Sequence, residues 1–362
     1  MPKTARRIDA SAVSPSPVGR SIEDLLTPRP RRQTLTGFDP DYSDIVDYII
    51  RCTHRIWEEK NVGLCRSHYA RDCAIHTLAG PVTGVEAVVA NTLATLAAFP
   101  DRSLIGEDVI WSEDAPGLFH TSHRIVSLMT HLGDDALGPA TGRRAQVTTI
   151  ADCLVRENRI VEEWLVRDNA QLVRQLGLDP WTVARAQAEA DRALDPASHG
   201  WRTAEIARVR EDRALVAPPS TDHPALTPAA MLTTAVNEAN LGQAAGLLSV
   251  SAEGFWPSGR RWIGRGGWIG AVTQLTAVLD APRLVIDHWA ATALPHDEVA
   301  VALRWSLAGR HVRPGVYGPP TGRDLLVLGV SHYRSRQGRI LEDVTVFDEL
   351  AVLRQLAGGL GA

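Results

Sequence analysis

The chain is poor in the residues that build metal sites and disulfide scaffolds. It has only four cysteines among 362 residues, and none of them forms a CxxC pair. Structural zinc sites usually use closely paired cysteines, so no zinc site is expected. All four cysteines lie in the first half of the chain, and we interpret them as reduced, mostly buried thiols of a cytoplasmic protein.

Long apolar runs and a strong excess of either charge are also missing. No apolar run approaches the roughly 20 residues of a helical membrane span, so no membrane association is expected. Lys and Arg number 38 and Asp and Glu number 42, a net charge of −4 that gives no reason to expect a nucleic-acid partner. No apolar segment follows Lys3, Arg6 and Arg7, so a secretory signal is not expected either.

The motifs of phosphate, nucleotide and metal chemistry are absent from the sequence. It contains no Gly-rich phosphate loop, no GxSxG elbow, no HExxH pair and no dinucleotide fingerprint. We therefore expect neither an organic cofactor nor a metal ion. Any chemistry must then come from amino-acid side chains alone.

What the sequence does contain is an internal repeat. GPATGRR at 138–144 recurs as GPPTGRD at 318–324, so that Thr321 corresponds to Thr141. RIVEEWLVRD at 159–168 recurs as RILEDVTVFD at 339–348 with the same shift. A shift that is held across loops is hard to produce by chance, so it indicates duplication of one domain. The hydrophobic content of 44% is sufficient for two separate cores.

The repeat divides the chain into four parts. Residues 1–40 are rich in Pro, Ser and Arg without periodicity, which predicts a flexible arm. Residues 41–178 form the first predicted domain, residues 225–362 form the second, and residues 179–224 form a helical linker. The linker begins at Asp179-Pro180, a typical helix start.

Both copies show the same order of predicted elements. A helix at 42–60 comes first, and Gly84 precedes another helix in the first copy as Gly264 does in the second. Four strands follow in the first copy, at 103–111, 118–130, 144–156 and 160–167. Helices followed by an antiparallel meander predict an α+β fold in which a curved sheet leaves a pocket against the helices.

These segments resemble the SnoaL-like polyketide cyclase family, within the nuclear transport factor 2-like superfamily. The similarity rests on the order and spacing of several motifs, which are HYARDCAIH (68–76), AAFPD (97–101), GEDVIW (106–111), RIVEEW (159–164), YGPPTGRD (317–324) and RILED (339–343). The resemblance implies two tandem cone-shaped domains. In each, a strongly curved, mainly antiparallel sheet packs on three helices around a deep pocket.

The resemblance also implies chemistry without a cofactor. Cyclases of this family use a His and an Asp in the pocket to move protons during ring closure. By position, the His falls on Ala151 and Ser331 in the two copies, and the Asp falls on Leu165 and Thr345. Neither copy keeps the pair, so other side chains would have to transfer the proton.

Catalytic candidates come from alternation along the strands of the first copy. His123 lies on the second strand of the meander, and Asp152 and Asp168 lie on the following strands. We predict that His123 pairs with Asp152 or Asp168, which would make it a general base near neutral pH. His76 is predicted to orient the substrate as a hydrogen-bond donor. A structural role for each histidine is the alternative.

Further residues are predicted to bind the substrate, with core packing or ion pairing as the alternative for each. Arg124 and Arg304 occupy one repeat position and can pair with Asp168 and Asp348, and His332 can pair with Asp343. The full set of predicted binding residues is His54, Trp57, Tyr69, Trp111, Arg124, Glu163, Trp164, Trp256, Trp289, Arg304 and His332.

The sequence thus predicts a cofactor-independent acid–base enzyme acting in the pocket of the first domain. The substrate would be a small, largely apolar, oxygenated molecule, and the reaction a cyclisation, isomerisation, hydration or hydrolysis. The alternative is a non-catalytic small-molecule-binding or scaffold protein. The two domains are expected to form an internal pseudo-dimer, with a homodimer of the whole chain as a further option.

Overall fold

A computed structural model describes residue 23 and residues 26–194 and 200–359. Residues 1–22, 24 and 25 of the predicted arm lie outside the described residues. Residues 195–199 of the predicted linker and residues 360–362 lie outside them as well. The described chain contains two six-stranded sheets, one in each half, and each sheet has its own helices. The predicted tandem α+β architecture is confirmed.

The first domain begins with helices and continues into the meander. Its helices are α1 (Ile45–Trp57), a 3-10 turn (Val62–Leu64), α2 (Cys65–His68), α3 (Val85–Ala98) and α4 (Asn169–Gln175). Its strands are β1 (Tyr69–His76), β2 (Val82–Thr83), β3 (Ser103–Ala115), β4 (Leu118–Thr130), β5 (Arg144–Arg156) and β6 (Arg159–Arg167). The four predicted strands of the meander are all present.

Two linker helices, α5 (Pro180–Arg192) and α6 (Gly200–Arg210), precede the second domain. The helices of that domain are α7 (Leu226–Asn237), α8 (Leu241–Ala245), α9 (Gly264–Thr276) and α10 (Glu349–Leu356). Its strands are β7 (Leu248–Trp256), β8 (Arg260–Ile263), β9 (Leu279–Ala293), β10 (Glu298–His311), β11 (Asp324–Arg336) and β12 (Arg339–Phe347).

The two sheets share one topology and one register. Their strand orders are β2-β1-β6-β5-β4-β3 and β8-β7-β12-β11-β10-β9. Each sheet is mixed, because β1 pairs with β6, and β7 with β12, in parallel. Arg124 lies opposite Ile150 in the first sheet, and Arg304 lies opposite Val330 in the second. The constant shift between the copies therefore relates equivalent positions in space along these strands.

Local sequence signals explain where the helices begin. The side chain of Asp44 caps α1 by accepting a hydrogen bond from the backbone nitrogen of Asp47 at 2.9 Å. Gly84 caps α3 with φ 89°, and Gly264 at the start of α9 has φ 68°. Only glycine adopts such left-handed backbone without strain, which explains why glycine stands at the start of the helix in both copies.

Part of the predicted arm belongs to the first domain. Leu35 and Phe38 are only 2% and 6% exposed. The ring of Phe38 packs edge-on against Tyr48 at 5.1 Å and Phe119 at 5.9 Å. The guanidinium of Arg31 donates to backbone carbonyls further along the chain. The packed region therefore begins before residue 41, because this segment covers one end of the first core.

The two domains contact each other through the outer faces of their sheets. One apolar cluster at this interface contains Ile150 and Val166 from the first sheet and Val330 and Val346 from the second. Ile150 and Val330 are equivalent positions of the repeat, and so are Val166 and Val346. The same patch of each copy thus meets itself, the arrangement of a twofold-symmetric dimer interface.

The described residues carry no disulfide and no candidate membrane span. All four cysteines are buried and free. Within the described ranges, no helix combines the length and the apolar character that crossing a bilayer requires.

Replacement of Phe38 by Ala tests whether the segment before residue 41 belongs to the first core. We expect Phe38→Ala to lower the free energy of unfolding by roughly 3–5 kcal/mol, because it leaves a cavity between two aromatic rings. Urea unfolding followed by circular dichroism measures the change. Leu93→Ala is the control, since Leu93 is 53% exposed and its loss should cost less than about 0.5 kcal/mol. Equal effects of the two substitutions would contradict the assignment.

Candidate functional site

A cavity of about 260 Å³ lies in the first domain between the helices and the concave face of the sheet. Helices α1 and α3 contribute Ile49, Trp57 and Val88, and the sheet contributes Ile125 and Leu165. Apolar side chains thus form most of the wall. A small set of ionisable groups interrupts it, and these groups give the cavity its chemical character.

Glu163 is the carboxyl group of this cavity. It lies on β6, is 6% exposed, and accepts a hydrogen bond from the hydroxyl of Tyr69 at 3.1 Å. Burial raises the pKa of Glu163 to about 7, although Tyr69 and the charge of Arg167 act to lower it. A carboxyl group that ionises near neutral pH in an apolar cavity is suited to general acid–base catalysis.

His123 lies on β4, and its ring lines the same cavity. It is 2% exposed, and neither ring nitrogen has a hydrogen-bond partner among the described residues. Burial lowers the pKa of His123 to about 4, so the ring is neutral at physiological pH. Gly106 makes room for this ring, because a Cβ at that position would lie 3.1 Å from Nε2. The imidazole can therefore donate to or accept from a bound molecule.

Two arginines also line the cavity. Arg102 lies over the ring of Trp57 at 4.6 Å and donates to the hydroxyl of Ser127 at 3.2 Å. Nη1 of Arg102 and Nε of Arg167 are buried without a hydrogen-bond partner among the described residues. Burial lowers the pKa of both side chains, to about 9 for Arg102. These free donors can stabilise negative charge on a substrate oxygen.

In the second domain, large side chains fill the corresponding space. Trp268 occupies the repeat position of Val88, and Trp305 that of Ile125. Both indoles are fully buried. Trp305 fits because Gly329 has no side chain, since a Cβ there would lie 2.2 Å from the indole. The second domain therefore has a packed interior where the first has a cavity.

Asp343 occupies the repeat position of Glu163 and is enclosed by donors. It accepts hydrogen bonds from the indoles of Trp256 at 3.0 Å and Trp268 at 3.1 Å, and from the hydroxyl of Thr345 at 2.7 Å. Burial raises the pKa of Asp343 to about 6. Trp256 was predicted to bind substrate, but its indole is committed to Asp343. The predicted pairing of Asp343 with His332 is wrong, because Nε2 of His332 contacts the hydroxyl of Ser122.

The predicted pairing of His123 with Asp152 or Asp168 is wrong. His123 lies opposite Ala151 in the sheet, so Asp152, the next residue, points to the other face. There its carboxylate contacts Nε2 of His120 at 3.0 Å and Nη1 of Arg304 at 2.7 Å. Asp168 caps α4 and accepts hydrogen bonds from the backbone nitrogens of Gln171 at 3.1 Å and Ser258 at 2.7 Å.

Three other predicted site residues form a stack on the outer face of the first sheet. The ring of His76 stacks on Trp164 at 4.8 Å, and the guanidinium of Arg304 lies over the ring of Trp164 at 3.4 Å. Nε2 of His76 also contacts Glu162 at 2.7 Å. His76, Trp164 and Arg304 therefore lie between the two domains and do not line the cavity of the first domain.

The remaining predicted residues also lie outside that cavity. Arg124 pairs with Glu107 at 3.0 Å, and His332 contacts the hydroxyl of Ser122 at 2.9 Å across the domain interface. His54 lies 3.8 Å from Glu59, the ring of Trp111 packs near Phe119, and Trp289 packs on the second core. Among the predicted site residues, the cavity contains His123, Trp57, Tyr69 and Glu163.

Sequence reasoning missed Arg102 and Arg167 as cavity residues. Arg102 lies in the loop before β3, where no periodic pattern indicates the direction of a side chain. Arg167 ends β6, and its repeat partner is Phe347. The contrast between a charged and an aromatic residue at one repeat position was a readable signal. The contrast between Val88 and Trp268 indicated a hollow and a filled domain in the same way.

Comparison with known proteins gives two matches to one family model, described as SnoaL-like polyketide cyclase, at residues 48–176 and 231–356. The search of curated proteins gives no match. Among solved structures, IdmH from Streptomyces antibioticus, a candidate polyketide cyclase, is 27% identical over 37% of this chain and 97% of its own, with a TM-score of 0.32. AclR from Streptomyces galilaeus, a candidate hydroxylase, is 21% identical over 36% of this chain and 92% of its own, with a TM-score of 0.31.

Alanine at the two repeat-related carboxyl positions is expected to have different effects on stability. Asp343→Ala leaves two buried indole donors unpaired, so we expect a loss of roughly 3 kcal/mol or more in the free energy of unfolding. Glu163→Ala enlarges an existing cavity and removes one hydrogen bond, so we expect the free energy of unfolding to fall by about 1 kcal/mol. Urea unfolding at pH 7 compares the two. A larger loss for Glu163→Ala would show that Glu163 is the structural carboxyl group.

Proposed function

The chain belongs to the SnoaL-like polyketide cyclase family, in two tandem copies, and we propose that its first domain is a cofactor-independent acid–base enzyme. The substrate is a small, largely apolar molecule with a carbonyl group and an acidic C–H bond beside it. One observation carries this proposal. Glu163, whose pKa is raised to about 7, is buried at the wall of the cavity beneath the helices of the first domain.

The proposed reaction begins with proton abstraction by ionised Glu163. Its carboxylate takes a proton from the carbon next to the carbonyl, and the electron pair of the broken C–H bond moves onto the carbonyl oxygen. The free donors of Arg102 and Arg167 stabilise the resulting enolate oxygen. Return of the proton to another carbon gives isomerisation. Attack of the enolate carbon on a second carbonyl of the same molecule gives ring closure, and the oxygen of that carbonyl takes up the proton held by Glu163.

His123 and Tyr69 act as neutral partners in this scheme. The imidazole, with a pKa lowered to about 4, carries no charge during turnover and can hold a second substrate oxygen. The hydroxyl of Tyr69 keeps the carboxyl of Glu163 in position. The cavity of about 260 Å³ lies just below the usual range for ligand pockets, about 300–1,000 Å³. It therefore favours a compact substrate.

Non-catalytic binding of a small molecule is the second candidate function. It is favoured by Ala151 and Leu165, which stand where the family's catalytic His and Asp are expected. It predicts that Glu163 serves only to hold a ligand. The two candidates differ in whether removal of the carboxylate abolishes proton transfer or only weakens binding.

We also propose that the second domain replaces the second subunit of a dimer. The self-matching patch of Ile150, Val166, Val330 and Val346 supports this role. The packed interior around Asp343 supports it as well, because that interior offers Trp side chains where the first domain has open space. In this proposal the second domain stabilises the first and performs no chemistry of its own.

An activated carbon acid tests whether Glu163 acts as a base. The probe 5-nitrobenzisoxazole opens when a base removes its ring proton, and the product is coloured. We expect the protein to accelerate the opening and Glu163→Gln to reduce the rate by about 100-fold or more, since an amide cannot accept the proton. Glu162→Gln is the matched control, because that carboxylate lies on the other face of the same strand. Equal rates for Glu163→Gln and the wild type would exclude catalysis by this group.

The rate of the same reaction should rise with pH through the pKa of Glu163 and then level off. Below pH 7 the rate falls, because Glu163 with a pKa of about 7 becomes protonated and loses its basicity. At higher pH the rate levels off, because Glu163 is then ionised and the guanidinium groups of the cavity keep their charge. His123 stays neutral throughout this interval. A rate that is already maximal at pH 5 would contradict the assignment of Glu163 as the base.

A further inference from the structure

A second cavity, of about 410 Å³, lies between the two domains, and we name it the interdomain cleft. The outer face of the first sheet contributes His76 and Trp164, and the outer face of the second contributes Arg304 and Leu328. Helix α6 covers the cleft with Trp201, Ala204 and Arg208. Its volume falls within the usual range for ligand pockets, about 300–1,000 Å³. The cleft is also larger than the cavity of about 260 Å³ in the first domain.

Helix α6 is fixed over the cleft by buried polar contacts. Arg208 donates to the carboxylate of Asp287 at 2.7 Å and to the hydroxyl of Ser306 at 3.1 Å. Asp287 and Ser306 are each only 2% exposed. At the other side of the helix, Arg202 donates to the side chain of Gln355 at 3.1 Å. These contacts make the cleft a preformed cavity, because its cover is held to the second domain.

Arg304 lines the cleft and has one hydrogen-bond donor without a partner among the described residues. The residue is 7% exposed, and its Nη1 contacts the carboxylate of Asp152 at 2.7 Å. Its Nε is buried and has no hydrogen-bond partner among the described residues. A buried donor without a partner is costly, and a ligand oxygen at this position would satisfy it.

Each cationic side chain at the wall of the cleft already has a carboxylate partner. Arg304 pairs with Asp152, Arg208 pairs with both Asp287 and Glu205, and His76 contacts Glu162. An anionic ligand would therefore lose its hydration without gaining an unmatched counter-charge. The rest of the wall is largely apolar and includes the indoles of Trp164 and Trp201. This environment favours a neutral, flat, aromatic ligand with one acceptor oxygen.

The equivalent groove on the other side of the interface lacks the cover of α6. Nε of Arg124, at the repeat position of Arg304, also makes no hydrogen bond, but it lies 3.0 Å from the carboxylate of Glu107. Polar Gln171 and Gln175 of α4 flank this groove in place of α6. The donor therefore recurs with the repeat, whereas the apolar cover occurs on one side only.

We propose that the interdomain cleft is a second binding site, for a neutral flat aromatic ketone whose oxygen accepts a hydrogen bond from Nε of Arg304. The aromatic rings lie between α6 and the outer face of the second sheet. This site is separate from the cavity that contains Glu163, and it does not depend on the reaction proposed there.

The test uses 6-propionyl-2-(dimethylamino)naphthalene, a neutral fluorescent aromatic ketone, with the full chain. Val88→Trp is introduced first to fill the cavity of the first domain, as Trp268 fills the second. In that background we expect Ala204→Trp to weaken binding at least tenfold, because the indole occupies the cleft. Ala207→Trp is the matched control. It places the same side chain at an exposed position of α6 outside the cleft, and its affinity should change less than twofold.

If Val88→Trp impairs folding, the two Ala substitutions are compared in the chain that keeps Val88. Ala204→Trp should then bind one probe molecule fewer than Ala207→Trp. The rate at which each variant opens 5-nitrobenzisoxazole should be the same as that of the wild type. Circular dichroism and melting curves establish that each variant is folded. Equal affinity and equal stoichiometry of the two variants would overturn the proposal, as would absence of probe binding by the Val88→Trp chain when it is folded.

The role of Arg304 is tested by comparing two probes. Arg304→Lys keeps a positive charge near Asp152 but removes the Nε donor. We expect it to weaken binding of the ketone at least fivefold and to leave binding of 2-(dimethylamino)naphthalene, which lacks the carbonyl, unchanged. Equal weakening of both probes would show that Arg304 only supports the interface, and would overturn the proposed hydrogen bond.

Discussion

A carboxyl group buried at the same repeat position in both domains is the constraint on which the rest of the structure depends. Such a group must either collect hydrogen-bond donors or remain protonated. Asp343 collects two indoles and a hydroxyl, and these side chains close the second domain. Glu163 has only the hydroxyl of Tyr69 and faces the cavity. One position thus gives a structural carboxyl group in one domain and an available one in the other.

The packing of the two sheets explains how the interiors could diverge. The outer faces meet through positions that match between copies, such as Ile150 and Val330, so each face constrains the other. The helices and inner faces of the sheets have no such partner in the other domain. Differences between the copies, such as Val88 in the first and Trp268 in the second, therefore change the interior of one domain only. The same packing leaves the interdomain cleft under α6. The interface therefore fixes the frame, while the interior of each domain determines its chemistry.

The fold was predictable from the sequence to a greater extent than the site. The constant shift between the two copies carried strand order and register from one copy to the other, because a gap-free repeat preserves both. Alternation along β4 does not show which residue of β5 lies opposite, so the pairing of His123 with Asp152 was wrong. Arg102 depends on how a loop folds onto α1, which no local pattern indicates. The size contrast between equivalent positions was the readable signal for the cavity.

Titration of Glu163 itself tests the central claim most directly. Infrared difference spectra of the full chain, wild type minus Glu163→Gln, isolate the carboxyl band of this residue as pH is varied. Burial in the apolar cavity predicts a midpoint near 7. A midpoint near the ordinary glutamate value of about 4.3 would mean that water or a counter-ion solvates the carboxylate. The cavity would then not hold a base poised for proton transfer.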